Sequence, residues 1–152
     1  MNAAHRSADR QSIRDRALRL LARREHTVRE LTLKLQARQY DPDSVAEVLA
    51  ELADQGLQSD GRFAEVFARG RAESGYGPLR IRSQLRERGV NDDAIRAALA
   101  QLPVDWFESC AAAWHKAFGA TPDTGIKARA KQQRFLSYRG FDADHIRDLL
   151  RA

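Results

Sequence analysis

The strongest constraint on the fold of this chain is a pattern of 15 residues that occurs three times. The copies are LQARQYDPDSVAEVL (35–49), LRERGVNDDAIRAAL (85–99) and LSYRGFDADHIRDLL (136–150), and they align without a gap. Their shared skeleton is L-x-x-R, then Gly or Gln, an apolar residue, Asp or Asn, and later an apolar residue followed by x-x-x-L. A period of about 50 residues predicts tandem structural units in place of one central core.

Each copy has the chemistry of one helix ending and another beginning. Gly89 and Gly140 occupy the position at which many helices end in a left-handed residue, and Gln39, a weaker stop, has that place in the first copy. Two positions later every copy has a good N-cap, whose side-chain oxygen can accept a bond from a free amide of the first helical turn. These N-caps are Asp41, Asn91 and Asp142.

The residues around these N-caps support the same interpretation. An apolar residue precedes each N-cap and another follows it with the spacing of a hydrophobic staple. The three pairs are Tyr40 and Val45, Val90 and Ile95, and Phe141 and Ile146. Pro42 stands at a first helical position, where its missing N–H costs nothing. Three staples in register predict the same helix pair in each unit.

Another amphipathic segment lies at the start of every unit, so we expect three helices in each. The prediction is an all-α protein of three tandem three-helix repeats in an elongated, curved array. The expected units are residues 1–58, residues 59–103 with the GYGP motif, and residues 104–152. A unit this short buries little surface, so each has to pack on its neighbour.

Composition narrows the class of protein. No apolar run in the 152 residues is long enough for a membrane span, and the N-terminus has no apolar signal segment. A single Cys110 cannot form an internal disulfide, as is typical of a reducing compartment. We expect a soluble cytoplasmic monomer with no membrane partner. Trp106 and Trp114 are expected in the core, because amphipathic helices need large apolar side chains.

The motifs of enzyme chemistry are absent from the sequence. There is no GxxxxGK[ST] or GxGxxG phosphate loop, and the four histidines are scattered without ligand spacing. Cys110 lies among alanines, which is typical of a small core side chain. His26, between Glu25 and Thr27 at a predicted helix end, is expected to be a surface or capping residue. We therefore predict no catalytic residue, no metal and no cofactor.

Charge alternates along the chain in step with the repeat, within a net charge of +5. Residues 62–88 hold seven arginines and three glutamates, and residues 127–139 hold five bases and no acid. Residues 41–54 hold five acids and no base. Stacked units would align the arginines into a stripe suited to phosphate or acidic protein. The alternative is a solvated face that is neutralised by the acidic third helices.

The second unit carries a motif that resembles the RecX family of bacterial RecA regulators. Its run DGRFAEVFARGRAESGYGPLRIRSQLRERGV contains the family's Arg-Phe-Ala-Glu, Arg-x-Arg, Gly-Tyr-Gly-Pro and Ile-Arg elements. They stand at 62–65, at 69 and 71, at 75–78, and at 81–82. In the first unit ARREHTVRELTLKL is similar to the family's Ser-Arg-Arg-Glu-His-Ser segment, with Ala22 at the first place. Gly70 departs from the serine that members commonly carry.

The resemblance implies a regulator that binds the RecA–single-stranded-DNA filament, lies in its groove and inhibits its recombinase, ATPase and co-protease activities. Such a protein modulates recombination and the SOS response, with RecA as partner and DNA bound weakly. Tyr76 is expected to pack the GYGP connector in preference to stacking on a ligand. The expected filament or DNA contacts are Arg23, Arg24, His26, Arg69, Arg71, Tyr76, Arg80, Arg82, Arg86, Arg88, Lys127, Arg129, Lys131 and Arg134.

Two other functions remain open on the sequence alone. One is a stand-alone, sequence-nonspecific DNA-binding helical module, since three-helix units with basic helices resemble helix-turn-helix arrays. The lack of Asn and Gln residues placed for base contacts argues against sequence reading. The other is a repeat scaffold for a different acidic protein. Preference for bare DNA over the filament would separate the first of these from the RecA regulator.

Overall fold

The computed structural model describes residues 3–151, and within that range the chain is helical with no strand. The all-α class predicted from composition and periodicity is confirmed. The helices are α1 (Ala3–Arg23), α2 (Val28–Gln36), α3 (Pro42–Asp54), α4 (Asp60–Glu73), α5 (Pro78–Glu87), α6 (Asp92–Ala100), α7 (Trp106–Phe118), α8 (Ile126–Arg139) and α9 (Ala143–Arg151).

The helices form three bundles, each with its own core. Helices α1–α3 make repeat 1, α4–α6 repeat 2 and α7–α9 repeat 3, and the closely packed helix pairs lie within a repeat. The cores are built around Ile13, Leu31, Leu35 and Leu49; around Phe63, Ile81, Leu85 and Ile95; and around Trp114, Leu136, Phe141 and Ile146. Three tandem three-helix repeats are therefore confirmed.

The exposed area shows that the repeats are arranged as an array and not as a ball. The molecule exposes 9462 Å². A compact protein of 17.2 kDa is expected to expose about 7,800 Å². The excess surface leaves long faces of repeats 1, 2 and 3 available to a partner.

The turn predicted between the second and third helices is present in every repeat. Gly89 and Gly140 have φ of 86° and 94°, and Gln39 adopts the same left-handed conformation with φ of 65°. The left-handed conformation is less favourable by about 1–2 kcal/mol for a residue that has a Cβ. The turn in repeat 1 is thus formed despite its side chain, because the flanking helices pack into the same core.

The predicted N-caps and staples are also confirmed. An Oδ atom of Asp41 accepts from the amide of Ser44 at 3.0 Å, and that of Asn91 from Ala94 at 2.8 Å. Asp142 accepts from the amide of Asp144 at 2.8 Å. The staple residues Val90 and Phe141 are buried and Tyr40 is partly buried against the first core. These local contacts fix the start of each third helix.

The tryptophans and the cysteine are core residues, as expected. The indole N–H of Trp114 donates to Gln132 Oε1 at 2.9 Å, and Trp106 packs against the cores of both repeat 2 and repeat 3. Cys110 is fully buried, and burial raises the pKa of its thiol to about 11. In the range 3–151 no helix combines the length and the apolar character needed to cross a bilayer.

Candidate binding surface

The GYGP loop of repeat 2 lies directly against the backbone of repeat 3. The amide of Gly77 donates to Arg139 O at 2.8 Å, and the amide of Leu79 donates to Gly140 O at 3.0 Å. A Cβ on Gly77 would lie 2.4 Å from Gly140 O, and one on Gly140 would lie 2.4 Å from Arg80 Cβ. Both positions require glycine for this close approach. The motif therefore builds the junction between repeats 2 and 3.

Tyr76 of the same loop is half-buried among three guanidinium groups. Arg139 lies 4.7 Å from the ring centre, Arg71 5.2 Å and Arg80 5.7 Å. A cation over an aromatic ring is worth about 0.5–1 kcal/mol at an exposed site and more when it is desolvated. The ring also packs on the core of repeat 2. The expected packing role of Tyr76 is confirmed.

These contacts continue as an arginine–aromatic ladder, which we define as Arg88, Phe67, Arg71, Tyr76, Arg139, Phe135, Arg80 and Tyr138. Arg88 lies over Phe67 at 4.6 Å, and Arg139 lies over Phe135 at 5.1 Å. Arg80 lies over Tyr138 at 4.3 Å and donates to its carbonyl at 3.1 Å. Three of the predicted contact residues, Arg71, Arg80 and Arg88, are thus half-buried parts of the fold.

The sequence interpretation missed the members of the ladder that come from repeat 3. Arg139 also donates to Ser74 O at 3.2 Å, so it holds the end of α4 as well as the Tyr76 ring. The signal was present in the sequence, because the conserved skeleton L-x-x-R places an arginine at this turn in every copy. Those arginines are Arg38, Arg88 and Arg139.

Helix α5 presents the basic face that the i, i+4 spacing predicts. Arg82 and Arg86 line one shallow hollow together with Arg96 and Asp92. Arg86 Nε lies 3.0 Å from Asp92 Oδ1, but both side chains are more than half exposed, so the pair is worth little. Arg69 is exposed on α4. The surface free to meet a partner in repeat 2 is therefore the outer face of α5 with Arg69.

In repeat 1 the adjacent residues Arg23 and Arg24 have different surroundings. Arg24 Nη2 lies 2.8 Å from Glu30 Oε2, and Glu30 forms a capping box with Thr27. Burial would raise the pKa of Glu30, but the hydrogen bonds from Arg24 and from the Thr27 amide outweigh it and lower that pKa. Arg24 is therefore partly neutralised. Arg23 is exposed and lines a hollow formed by arginines and one leucine.

His26 is buried, so the expectation of a surface or capping residue is wrong. It is 2% exposed. Nδ1 lies 3.0 Å from Arg24 O and must be the donor, so Nε2, 3.1 Å from Lys34 Nζ, accepts. Burial lowers the pKa of His26, and the charges of Arg24 and Lys34 act in the same direction. The neutral ring is a structural group, and it stands 50 positions before Tyr76.

The junction between repeats 1 and 2 is made by side chains close to His26. Gln58 Nε2 donates to His26 O at 3.2 Å and to Asp60 Oδ1 at 2.7 Å. The amide of Val28 donates to the same Asp60 oxygen at 3.0 Å. Arg62 Nε lies 3.0 Å from Glu25 Oε1. The first residues of α4 thereby fix the turn between α1 and α2.

In repeat 3 some predicted basic residues of α8 are exposed, and one is engaged in contacts within the fold. Lys127, Lys131 and Arg134 are exposed. Arg129 is half-buried, 5.3 Å from the Trp114 ring, and its Nη1 lies 3.0 Å from Gln132 Oε1. The remaining predicted cations make no cation–π contact with a ring in the described part of the chain: Arg82 is half-buried beside Arg86, and the exposed ones are Arg23, Arg69, Arg86, Lys127, Lys131 and Arg134.

Among residues 3–151 no three His, Cys, Asp or Glu side chains come together as a metal site would require. The exposed side chains of the candidate surface are mainly cationic. Guanidinium groups dominate it, and these bind phosphate or carboxylate by paired hydrogen bonds.

Comparisons with protein-family models cover all three repeats. The models for the first, second and third three-helix domains of RecX match residues 14–52, 59–99 and 104–150. Among curated proteins, the regulatory protein RecX of Halorhodospira halophila is 49% identical over 137 residues, covering 90% of this chain and 85% of that protein. The regulatory protein RecX of Chromohalobacter salexigens is 46% identical over 134 residues, covering 88% of each chain.

The fold is also similar to solved structures. A crystal structure of RecX from Lactobacillus salivarius superposes with a TM-score of 0.80 at 23% identity, covering 95% of this chain and 96% of that one. A crystal structure of a regulatory protein RecX gives a TM-score of 0.82 at 22% identity, covering 99% of this chain and 75% of that one. With matching models over each repeat and relatives near half identity, the chain belongs to the RecX family of regulatory proteins.

Proposed function

We propose that this protein binds the RecA–single-stranded-DNA filament and inhibits its recombinase, ATPase and co-protease activities, thereby modulating recombination and the SOS response in the cytoplasm. The observation that carries the proposal is family membership across all three repeats. The relatives named as regulatory protein RecX support a regulatory role.

The arrangement of charge supports a filament as the target. Exposed cations occur on α4 and α5 of repeat 2 and on α8 of repeat 3, at Arg69, Arg86, Lys127, Lys131 and Arg134, and Arg82 on α5 is half-buried beside Arg86. An elongated array meets several successive subunits or phosphates of a polymer, so weak contacts add up along its length. A protein that binds one state of the filament more tightly than another shifts its population without catalysis.

The junction between repeats 2 and 3 supports the same proposal. The backbone bonds of Gly77 and the arginine–aromatic ladder hold the basic faces of α5 and α8 in a fixed relation. Preorganised cations lose less conformational entropy on binding than flexible ones. The ladder arginines therefore act as supports, while Arg82 and Arg86 are the direct contacts that we propose.

The test is the ATPase rate of RecA preassembled on single-stranded DNA, titrated with the wild-type protein and with Arg82→Glu plus Arg86→Glu. We expect the concentration for half inhibition to rise at least about tenfold, because two attractive charges become repulsive, equivalent to about 1.4 kcal/mol or more. The charge-matched control is Arg147→Glu plus Arg151→Glu on exposed positions of α9. It should shift the midpoint less than about threefold.

Circular dichroism checks that both variants keep their helices. Unchanged inhibition by a folded Arg82→Glu plus Arg86→Glu variant would remove α5 from the contact surface. A parallel titration with the same DNA in the absence of RecA separates the alternative function. If inhibition begins only where bare DNA is saturated, the protein competes for the strand and the stand-alone DNA-binding module is correct.

A further inference from the structure

Repeat 1 contains a hollow whose lining is almost entirely arginine. Arg16, Arg19 and Arg23 lie on one face of α1, and Arg38 reaches the same hollow from the turn after α2. Leu20 completes the lining, and the hollow has a volume of about 250 Å³. A water molecule takes about 30 Å³. The hollow therefore admits a small anionic group with part of its hydration.

The four guanidinium groups are not neutralised by the part of the protein that the structure describes. No acidic side chain lines the hollow, and none of the four arginines has a salt bridge to any residue within 3–151. Two other arginines of repeat 1 are paired, Arg10 with Glu47 and Glu51, and Arg24 with Glu30. Like charges on one helix face repel each other, so an anion in the hollow would relieve that repulsion.

A second observation indicates an unfilled hydrogen-bonding site. Arg16 Nε is buried and has no hydrogen-bond partner among the described residues. Tyr40 lies beside it: the Ser12 hydroxyl, 2.6 Å from the Tyr40 hydroxyl, and then Arg16 lower the pKa of that phenol. Because Arg16 Nε is buried, the guanidinium has to turn before this donor meets an oxygen atom in the hollow.

The position of the hollow follows from the repeat. Arg38 is equivalent to Arg88 and Arg139, which lie over Phe67 and over Tyr76. Arg88 lies over a ring of its own repeat, and Arg139 lies over a ring of the repeat before its own. Arg38 stacks on no ring within residues 3–151, and it lines the hollow beside α1. The residue that builds the fold in the other copies is available here for a ligand.

We propose that this arginine hollow binds a backbone phosphate of nucleic acid. Each guanidinium carries five N–H donors and no acceptor, so four of them offer more donors than the two oxygens of a carboxylate can accept. A phosphodiester has charged oxygens and continues into neighbouring phosphates. The proposal rests on the proposed function in one respect: the nucleic acid is the DNA of the RecA filament, and repeat 1 would contact it beside the surface of α5.

The experiment measures binding of a fluorescein-labelled single-stranded oligonucleotide by anisotropy, without RecA, for wild type and for Arg19→Glu plus Arg38→Glu. Both side chains are exposed, so the substitutions leave the core unchanged. We expect at least about tenfold weaker binding. The magnitude of the slope of log affinity against log salt should fall by about 0.7, the change expected for the loss of one phosphate contact on a single strand.

Two controls identify the ligand chemistry. Arg147→Glu plus Arg151→Glu makes the same change in net charge at the other end of the array, and it should weaken binding less than about threefold. An oligonucleotide of the same sequence with uncharged methylphosphonate linkages should bind wild type and Arg19→Glu plus Arg38→Glu equally. Inorganic phosphate at the same phosphate concentration should displace the DNA poorly, because it lacks the neighbouring linkages.

The outcomes also separate this proposal from the function proposed above. Loss of DNA binding with ATPase inhibition retained supports the phosphate site and leaves filament regulation intact. Wild-type DNA binding with ATPase inhibition lost means that the hollow takes an acidic group of RecA, which overturns the phosphate assignment. Unchanged DNA binding together with unchanged inhibition overturns it as well. Displacement by inorganic phosphate as effective as by DNA would make the hollow a site for the free anion.

Discussion

The two junctions of this molecule use the same loop position in different ways. Between repeats 2 and 3 the contact is backbone to backbone: Gly77 and Leu79 donate to the turn at Gly140. Between repeats 1 and 2 the contact is through side chains, with Gln58 and Asp60 bonded to the turn before α2. Both junctions also hold a glycine against the neighbouring repeat, since a Cβ on Gly89 would lie 2.8 Å from Arg29 Cβ. They differ in whether backbone groups or side chains make the hydrogen bonds between repeats.

The residues at equivalent positions explain the difference. Thr27 stands 50 positions before Gly77, and both are N-caps. The Thr27 side chain accepts from the amide of Glu30, so repeat 1 caps its own helix. Gly77 has no side chain that could cap its helix, and its amide donates to Arg139 O of repeat 3. Local helix capping in repeat 1 has thus been exchanged for a contact between repeats in the second copy.

The largest effect on stability is expected from a substitution at Gly77. Gly77→Ala should destabilise the protein by about 3 kcal/mol, because the new Cβ would lie 2.4 Å from a backbone oxygen that cannot move away without opening the junction. The measurement is the free energy of unfolding in urea. The matched control is Gly70→Ala, which meets nothing within 4 Å in a helix and should stabilise by about 0.5–1 kcal/mol. Equal stability of both variants would show that the close approach is not required.

The junction between repeats 1 and 2 should respond to pH through His26. Its pKa is lowered by burial from 6.5 in the folded state, so below pH 6.5 the unfolded chain binds the proton more readily. Stability is therefore complete above pH 6.5 and is lost as pH falls from 6.5 towards the folded pKa. Protonation of Nε2 would also place an N–H opposite the Lys34 ammonium. The positive ring would then be repelled by Lys34 and Arg24, and Glu30 would offset part of that repulsion.

The measurement is the free energy of unfolding between pH 7.5 and 5.5 for wild type and His26→Gln. The wild-type value should decrease on acidification, and the variant should show a smaller decrease even if it is less stable throughout. Identical slopes in the two proteins would assign the pH dependence to other groups. The window stays above the ordinary range of carboxylates, which keeps Glu30 ionised.

The smallest effect is expected at the ion pair of the same junction. Glu25→Gln should lower the free energy of unfolding by about 0.5 kcal/mol or less, since the Arg62 side chain is 45% exposed and that of Glu25 29%. The difference from wild type should vanish in 1 M salt, where the screening length is about 3 Å. A cost above about 2 kcal/mol, independent of salt, would mean that this pair is a principal support of the junction.

Much of the fold could be predicted from sequence because its signals are local. The left-handed turn, the N-cap and the staple each involve residues a few positions apart, as at Gly89, Asn91 and Ile95. Alignment with Gly89 and Gly140 also predicts the position of Gln39 in the turn, although its side chain disfavours that conformation. Repetition strengthened each signal, since one marginal turn is supported by two better copies.

The division of the arginines could not be predicted in the same way. Arg80 and Arg82 are both half-buried, but only Arg80 is held by Tyr138, which is 68% exposed and comes from another repeat. His26 was misplaced because its burial requires Lys34 and Gln58 to enclose it, and neither is apolar. Sequence indicates how much charge a helix carries, whereas contacts between repeats decide which cations remain free.

Because the molecule has three separate cores, its repeats can unfold separately. With no shared centre, the free energy of unfolding is a sum of one contribution from each repeat and one from each junction. Repeat 1 is joined to repeat 2 by side-chain hydrogen bonds and by the close approach of Gly89 to Arg29, whereas repeat 3 has backbone hydrogen bonds as well as the contacts of Gly77 and Gly140. Amide hydrogens of α1–α3 should therefore exchange through openings that leave α4–α9 intact. Loss of the N-terminal unit would shorten this protein without unfolding it.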